Sequence, residues 1–288
     1  MTPDQWNIRG KTCIITGGSD GIGRAAAREF ALQGAVVAIV GRNLAKTQAA
    51  AEEIEAVSGG TIHYHIADLS SQAEVRRLAQ ALLDRYPQIQ VLLNNAGAVF
   101  DRRQITVDGM ERTFALNHLA YVLLTGTLLE RLEASAPARI INVSSAAHGF
   151  GGLNFDNLQG EQRYNEGDAY GRSKLANVMF TYALARRLHG TNVTVNSLHP
   201  GLVRTSFASE SRGLFGLFAR LARPFELSAE QGAQTSIHLA TAPELTNTNG
   251  AYFAKRRPVR SSQPSYDQAA QERLWELSQH MVGLPAEI

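Results

Sequence analysis

The chain alternates short apolar segments with longer amphipathic ones along nearly its whole length. Seven short runs rich in β-branched or apolar residues are typical of strands, at 11–16, 35–40, 61–66, 89–94, 138–143, 192–198 and 250–254. Segments rich in Ala, Leu, Glu and Arg predict helices between them, at 22–32, 43–57, 71–85, 107–133, 169–189 and 228–240. This alternation predicts right-handed βαβ units, and therefore a doubly wound α/β fold with a seven-stranded, mainly parallel sheet and helices on both faces.

Two stretches depart from the alternation. Residues 146–168, rich in Gly and Asn, and residues 201–227 are longer than ordinary connections, so we expect functional insertions there. No linker, low-complexity tract or close repeat divides the rest. The pattern therefore predicts a single domain over residues 1–288, with 201–227 as its substrate-proximal segment.

Composition excludes several classes of protein. A chain of 288 residues that is 44% hydrophobic can bury a substantial core. A net charge of +2, without Lys or Arg runs interleaved with aromatic residues, gives no support for nucleic-acid binding. The single cysteine, Cys13, rules out an internal disulfide and fits a reducing compartment. No apolar window approaches the ~20 residues of a membrane span, and the opening MTPDQWNIRGK lacks the apolar run of a signal peptide, which predicts a cytoplasmic protein.

The stretch TGGSDGIG at 16–23 fits two kinds of chemistry. As G-x-S-x-G it would place Ser19 on a hydrolase nucleophile elbow. As T-G-x-x-x-G-x-G it is a glycine-rich turn that lets backbone amides approach a pyrophosphate. A nucleophile elbow needs an oxyanion-hole segment upstream, and the fifteen residues before Thr16 supply none. The strand before the turn and the helix after it favour phosphate binding.

Further motifs follow the other predicted strands. NNAG at 94–97, SS at 144–145, YGRSK at 170–174 and HPGLVRT at 199–205 fall at carboxyl ends of strands or on the next helix. Ligands of open α/β sheets bind at this edge. Together these residues resemble the classical short-chain dehydrogenase/reductase family. The segments LNHLA, NVSSAAH and AYGRSKLANV resemble its retinol-dehydrogenase-like branch, and the resemblance implies a Rossmann fold.

The residue types themselves support proton transfer to a carbonyl. Tyr170 and Lys174 lie four apart on one helix face, and a nearby ammonium should lower the pKa of a phenol towards working pH. Ser145 can donate to a carbonyl oxygen. The resemblance assigns Tyr170 as proton donor, Lys174 also as a ribose contact, Asn117 to a proton relay, and Ser145 rather than Ser144 as the catalytic serine.

Cofactor choice depends on the end of the second predicted strand. Gly41 occupies the position where NAD-using relatives commonly carry an acidic residue, and Arg42 follows it. Without the carboxylate a 2′-phosphate is not repelled, and Arg42 can hold it, so NADP is favoured. Asp20, in the glycine-rich turn, is either a helix cap or a direct cofactor contact. Asp68 resembles an adenine-contacting aspartate, although by itself it would indicate a helix cap.

The resemblance implies a cofactor site formed along the carboxyl edge of the sheet. Its expected members are Gly17, Ser19, Asp20, Gly21, Ile22, Gly23, Arg42, Asn43, Asp68, Leu69, Asn95, Ala96, Gly97, Tyr170, Lys174, Pro200, Gly201, Val203 and Thr205. No metal site is expected, because His63 and His65 share a strand face without a third ligand. Tyr164 is taken as structural or substrate-facing.

These features predict an NADP(H)-dependent oxidoreductase that acts on an apolar ketone or aldehyde, or on the corresponding alcohol. The alternatives are a carbon–carbon double-bond reductase of the protochlorophyllide-reductase type and a non-catalytic NADP-binding regulatory protein. Whether the chain forms a homodimer stays open. Apolar residues at helical spacing within 212–225 indicate a core helix, a substrate lid or a membrane-surface helix.

Overall fold

The computed structural model describes residues 6–203 and 227–285, and its centre is one mixed sheet. The strands are β1 Thr12–Thr16, β2 Val36–Gly41, β3 Ile62–Ile66, β4 Val91–Asn94, β5 Ala138–Val143, β6 Val193–His199, β7 Tyr252–Ala254 and β8 Arg257–Pro258. They lie in the order β3-β2-β1-β4-β5-β6-β7-β8, and each pair is parallel except β7 with β8. The doubly wound α/β prediction is confirmed.

The sheet has eight strands, so the predicted number of seven is wrong by one. The chain reverses after β7 because Lys255 and Arg256 both adopt positive φ, 50° and 63°, which suits a tight hairpin. β8 is only two residues long. A strand that short carries no detectable alternation of apolar and polar residues.

Helices cover both faces of the sheet. They are α1 Gly21–Leu32, α2 Leu44–Ser58, α3 Gln72–Arg85, α4, α5 Glu166–Arg187, α6 Ala229–Thr241 and α7 Gln268–Val282, where α4 comprises Arg112–Phe114, a π-helical stretch Ala115–Leu119 and Ala120–Ala134. One apolar cluster joins the sheet to α3, α4, α5 and α7, and a second joins it to α1, α2 and α6. Within the described residues, no helix is both long and apolar enough to cross a bilayer.

Helix α4 begins later than predicted, at Arg112 instead of 107. The cause is Glu111, whose buried carboxylate accepts the amides of Thr113 at 2.7 Å and Phe114 at 2.8 Å and so caps the helix. The residues before it form a turn in which Met110 O accepts the amide of Thr106 at 2.8 Å. Polar groups that satisfy helix ends, and not the apolar pattern, set this boundary.

Helix α7 was not predicted, and it covers the outer side of α4 and α5. The Trp275 ring stacks on Phe180 with centroids 5.5 Å apart, and the Arg187 guanidinium lies 4.0 Å from the Trp275 ring centre. Glu272 forms ion pairs with Arg186 at 2.7 Å and with Arg187 at 2.6 Å. The C-terminal helix is therefore part of the packed structure around the helix that carries Tyr170.

A buried hydrogen-bond chain links α7 to α5. Asn177 donates its Nδ2 to the Asn117 carbonyl at 2.8 Å, so its Oδ1 is the acceptor for His118 Nδ1 at 3.1 Å. With Nδ1 protonated, His118 Nε2 accepts from Ser278 Oγ at 2.9 Å. Burial lowers the pKa of His118 to about 4, with Lys174 acting in the same direction and the Asn177 hydrogen bond opposing both. The imidazole of His118 is therefore neutral near pH 7.

This neutral His118 predicts a loss of stability in acid. The unfolded chain takes up the proton near pH 6.5 whereas the folded one resists it until about pH 4, so the contribution is present above 6.5 and is lost as the pH falls towards 4. Between pH 7 and 5 the free energy of unfolding should fall by about 2 kcal/mol more in wild type than in His118→Asn. Urea unfolding at both pH values measures this difference.

The control is His189→Asn, which removes an exposed histidine and should show the wild-type loss. Equal losses in wild type and His118→Asn would contradict the neutral buried imidazole.

Candidate active site

The turn between β1 and α1 is packed so closely that its glycine positions have no room for side chains. Gly17 and Gly21 have φ of 66° and 48°, in the left-handed region where L side chains are strained. A Cβ on Gly23 would lie 2.2 Å from Gly17 O, and one on Gly17 would lie 3.0 Å from the Cα of Ala96. The glycines keep the turn narrow in front of the first amides of α1, the groups with which a helix N-terminus binds phosphate.

Asp20 is the cap of α1. Its carboxylate accepts the amide of Gly21 at 2.7 Å, and its second oxygen accepts Lys46 Nζ of α2 at 2.7 Å. Of the two roles left open for this residue, the structure shows the cap. The ion pair with Lys46 also offsets a negative charge that would otherwise oppose an anionic ligand at the turn.

The end of β2 excludes a carboxylate by packing. A Cβ on Gly41 would lie 2.1 Å from Thr47 Oγ1 and 3.0 Å from Ser19 Oγ. Arg42 follows at an exposed position, and Asn43 caps α2 by accepting the amide of Lys46 at 2.9 Å. The Ser19 hydroxyl and the exposed Arg42 therefore lie at neighbouring positions along the carboxyl edge of the sheet.

Asp68 follows β3 and closes a local turn. Its Oδ1 accepts the amide of Ser70 at 2.9 Å and the Ser70 hydroxyl at 2.7 Å. The cap of α3 is Ser71, not Asp68. Leu69, beside it, is buried.

The Asn-Ala-Gly segment after β4 is fastened to the glycine-rich turn. Asn95 donates its amide to Thr16 Oγ1 and its Nδ2 to Thr16 O, both at 2.9 Å, and the amide of Ala96 reaches the same hydroxyl at 3.1 Å. A Cβ on Gly97 would lie 3.1 Å from Asn117 Oδ1 and 3.4 Å from Lys174 Nζ. Gly97 thus allows the predicted cofactor edge to approach two of the predicted catalytic residues.

Asn117 lies within the π-helical part of α4. Its Oδ1 accepts the amide of Ala98 at 2.9 Å, and its Nδ2 donates to Ala98 O and to Ser173 Oγ, each at 3.0 Å. Its carbonyl already accepts Asn177, as described above. Single π turns are common at functional sites because they change the direction of a carbonyl within a helix.

Lys174 is a buried cation. Its side chain is only 3% exposed, and Nζ donates to Val143 O at 3.0 Å. The rings of Tyr170 and Tyr121 lie 5.6 Å and 5.8 Å from Nζ, within cation–π range. Among the described residues no carboxylate forms an ion pair with it, and burial lowers its pKa to about 7.

Tyr170 and Ser145 are in direct contact. Their side chains share a hydrogen bond, and Tyr170 packs in a small buried cluster with Val99 and Ala147. Burial raises the pKa of Tyr170 to about 12, against the opposing effect of Ser145. The expected lowering of this pKa by Lys174 is therefore wrong, because burial disfavours the charged form of both partners.

The two serines after β5 differ in what they bind. Ser144 Oγ donates to the carbonyl of Lys174 at 2.7 Å and is buried. Ser145 Oγ accepts the amide of Ala147 at 3.2 Å and contacts Tyr170. Ser144 fixes the backbone of α5, which leaves Ser145 as the hydroxyl beside the tyrosine.

Two glycines bring the serine turn against α5. A Cβ on Gly151 would lie 2.2 Å from Gly171 O, and one on Gly171 would lie 2.9 Å from Ala147 O. Tyr164, in the same long connection, donates its hydroxyl to Phe100 O at 2.9 Å, which gives it a structural contact. The 146–168 stretch is thus a packed connection that ends where α5 begins.

The segment after β6 is described only in part. Gly201 has φ of 96°, and Val203 pairs with Leu227 across an isolated parallel bridge. Thr205 and the predicted apolar helix at 212–225 lie outside the described residues.

The predicted site residues that the structure describes therefore lie along one edge of the sheet. Among them, Pro200 directly follows β6, and Ile22 lies in the first turn of α1. Tyr121 was not predicted as a site residue, although its hydroxyl donates to Ala96 O at 2.9 Å. The same is true of His118, His148 and Asn177. The last three stand inside the quoted motifs LNHLA, NVSSAAH and AYGRSKLANV, which was the available signal. Groups of three or more potential metal ligands do not occur in the described residues.

Comparisons with known proteins agree with this geometry. The family model of short chain dehydrogenase matches residues 11–213. Retinol dehydrogenase 12 of Mus musculus is 42% identical over 278 residues, which cover 96% of this chain and 88% of that protein. Retinol dehydrogenase 14 of Homo sapiens is 41% identical, with 96% and 88% covered.

Solved structures show the same fold. An uncharacterized protein from Mycobacterium paratuberculosis superposes with a TM-score of 0.80 at 30% identity, covering 99% of this chain and 98% of that one. The Pseudomonas aeruginosa RhlG/NADP active-site complex has a TM-score of 0.70 at 29% identity, with 88% and 97% covered. With its family motifs gathered at one edge of the sheet, the chain belongs to the short-chain dehydrogenase family, in its retinol-dehydrogenase-like branch, and is an oxidoreductase.

Proposed function

We propose that the protein is an NADP(H)-dependent carbonyl reductase, reversible as an alcohol dehydrogenase, whose substrate is an apolar ketone or aldehyde. The observation that carries the proposal is the Tyr170–Ser145 hydrogen bond beside the buried Lys174. It combines a proton donor, a second hydrogen-bond donor for a carbonyl oxygen, and a cation that influences both.

The residues present fit a dinucleotide. The turn between β1 and α1 has no space for a Cβ at Gly17 or Gly23, so its backbone can approach a pyrophosphate closely. The Asn-Ala-Gly segment adjoins this turn. When bound, the nicotinamide supplies or accepts the hydride. The residues that would hold the cofactor are those of the glycine-rich turn, Arg42, the Asn95–Gly97 segment and Lys174.

The protein's own part of the reaction is the control of one proton. In reduction, Tyr170 gives its phenolic proton to the carbonyl oxygen while Ser145 donates a hydrogen bond to the same oxygen. Lys174 is poorly solvated, with a pKa of about 7, so hydroxyl or anionic groups of a ligand beside it would favour its charged form. A charged Lys174 would in turn lower the pKa of Tyr170 from about 12 towards working pH.

Selection of NADP over NAD rests on the end of β2. The carboxylate that would bind the ribose hydroxyls of NAD has no room at Gly41, and Arg42 offers a forked donor set suited to a phosphate. Asp20 is held by Lys46 and so opposes the phosphate less. Three structural relatives hold NADP, among them the Pseudomonas aeruginosa RhlG complex and a short chain dehydrogenase from Burkholderia cenocepacia, which supports the same choice.

An apolar substrate is supported by the surroundings of Tyr170. Val99 and Ala147 pack against its ring, and Phe150, which follows the serine turn, is 60% exposed. The relatives are named for retinol, an apolar alcohol. Cofactor oxidation measured with a panel of aldehydes, ketones and activated alkenes tests the proposal, because turnover confined to alkenes, or none, would contradict it.

The first prediction concerns Tyr170. Tyr170→Phe keeps the buried ring but removes the proton donor, so we expect turnover to fall by about 10²-fold or more while cofactor affinity is retained. Steady-state kinetics and a cofactor titration measure the two quantities. Tyr164→Phe, the matched loss of a hydroxyl that binds Phe100 O, should leave turnover near wild type. Near-normal turnover in Tyr170→Phe would remove the residue from this role.

The second prediction concerns Arg42. Arg42→Asp removes a charge-assisted contact and adds repulsion, so NADPH affinity should fall by roughly 10²-fold or more and NADH affinity much less. Titration of both cofactors by fluorescence measures the change. Lys11→Asp makes the same charge change before β1, at the opposite edge of the sheet, and should affect neither cofactor. Equal weakening of NADPH and NADH in Arg42→Asp would contradict the 2′-phosphate assignment.

A further inference from the structure

His148 joins the catalytic serine turn to the C-terminal part of the chain. It belongs to a single 3-10 turn, Ala146–Gly149, that begins directly after Ser145, and it is 6% exposed. Its Nδ1 lies 2.7 Å from Ser145 O, and its Nε2 lies 2.9 Å from the backbone nitrogen of Ser262. The Ser262 hydroxyl also donates to His148 O at 3.3 Å. One imidazole therefore spans two segments that are 114 residues apart in sequence.

The contact with Ser262 determines the tautomer of this imidazole. A backbone N–H can only donate, so His148 Nε2 must be the acceptor. Burial lowers the pKa of His148, so the ring is neutral near pH 7 and its one proton is on Nδ1. Nδ1–H then donates to Ser145 O, the carbonyl that also accepts the His148 amide at 3.1 Å.

A competing partner is available to the other tautomer. The hydroxyl of Tyr252 lies 3.4 Å from His148 Nδ1, and the two rings are 4.7 Å apart between centroids. If the proton moved to Nε2, Nδ1 would accept from Tyr252 and could no longer hold Ser145 O. The Ser262 N–H therefore decides whether the imidazole binds the catalytic serine or the tyrosine.

Ser262 is itself held in place. Its carbonyl accepts the amide and the hydroxyl of Ser265 at 3.0 Å and 2.6 Å. The neighbouring Ser261 hydroxyl lies 2.7 Å from the Tyr182 hydroxyl of α5, and the Tyr182 ring stacks on Tyr266 with centroids 5.5 Å apart. The donor that fixes the imidazole thus belongs to a segment packed on the helix that carries Tyr170.

The opposite side of the serine turn is held by a second histidine. His199 Nδ1, at the end of β6, accepts the amide of Ala146 at 3.1 Å. Ser145 O and the Ala146 amide are therefore bound from two directions, and the Ser145 side chain lies between these fixed backbone groups. Displacing its carbonyl would move the hydroxyl relative to Tyr170.

We propose that His148 is a positioning residue for Ser145, and that the backbone N–H of Ser262 holds it in the Nδ1–H tautomer this role requires. The inference rests on the proposed function, since it depends on Ser145 acting on the carbonyl oxygen. It assigns a part in the active site to residues 261–266, which lie beyond the 11–213 match to the family.

A proline substitution tests the Ser262 donor alone. Ser262 has φ of −64°, the value that proline imposes, so Ser262→Pro deletes the N–H without straining that angle. We expect kcat to fall roughly three- to tenfold, as for one lost hydrogen bond, with cofactor affinity and carbonyl KM little changed. Ser262→Ala, which removes the hydroxyl but keeps the N–H, should keep a clearly higher kcat than Ser262→Pro. An unchanged kcat in a folded Ser262→Pro protein would overturn the proposal.

A positioning role and a purely structural role of His148 predict opposite rankings of kcat for two substitutions of this residue. The side-chain nitrogen of His148→Asn reaches the Nδ1 position and can donate to Ser145 O, whereas His148→Gln reaches the Nε2 position and can accept from Ser262. The proposal requires His148→Asn to keep the higher kcat. A simple anchor for the C-terminal segment would favour His148→Gln, and that ranking, or equal values, would overturn the proposal.

A spectroscopic measurement separates this inference from the proposed function. Imidazole ¹⁵N shifts of the ligand-free protein should show His148 protonated at Nδ1 in wild type and Ser262→Ala, and a shift of that proton towards Nε2 in Ser262→Pro. A wild-type imidazole protonated at Nε2 would sink the inference whatever the activity. Full turnover in Ser145→Ala would instead sink the proposed function while leaving the tautomer result standing.

Discussion

The structure around the site depends on one constraint, the burial of the Lys174 amine at the end of β5 without an ion-pair partner among the described residues. The charged form of a buried amine has to be compensated by dipoles and aromatic faces, and Val143 O, Tyr121 and Tyr170 provide them. Each of these groups must itself be held. Hydrogen bonds hold the backbone on both sides of this amine. Val143 O accepts from Nζ, and the Ser144 hydroxyl donates to the carbonyl of Lys174.

Neutral histidines supply much of this order because an uncharged imidazole has one donor and one acceptor in fixed directions. His118 accepts a hydrogen bond from Ser278 and donates one to Asn177, which in turn donates to the carbonyl of Asn117. His148 accepts a hydrogen bond from the Ser262 N–H and donates one to Ser145 O. Protonation would turn His148 Nε2 into a donor facing the Ser262 N–H, and so break that hydrogen bond. Burial lowers the pKa of each ring, so the packing that buries them also preserves the directions of their hydrogen bonds.

The sheet and the motifs at its carboxyl edge could be predicted from the sequence because both depend on local patterns. Alternating apolar runs predict β1 to β7, and glycines mark turns such as that at Gly23, where a side chain would collide with the backbone. β8 was not predicted because a two-residue strand has no period. The segment of α7 was not interpreted as a helix, although its buried positions recur at helical spacing. The direction of the Tyr170 pKa shift could not be obtained from spacing. Spacing reveals a lysine four residues away but not that both groups are buried, and burial dominates the shift.

The same limit explains why the sequence did not indicate the hydrogen-bonding roles of His118 and His148. His118 and His148 stand inside motifs that indicate the site, yet their partners Ser278 and Ser262 are more than a hundred residues away along the chain. Nothing in the local sequence specifies a contact across that separation. Both partners lie beyond residue 213, where the match to the family ends. The part of the chain that the family pattern describes thus contains the proposed reacting groups, while the part that follows it contains donors, Ser262 and Ser278, that bind histidines beside them. A substitution near the C-terminus can therefore alter the site without lying in it.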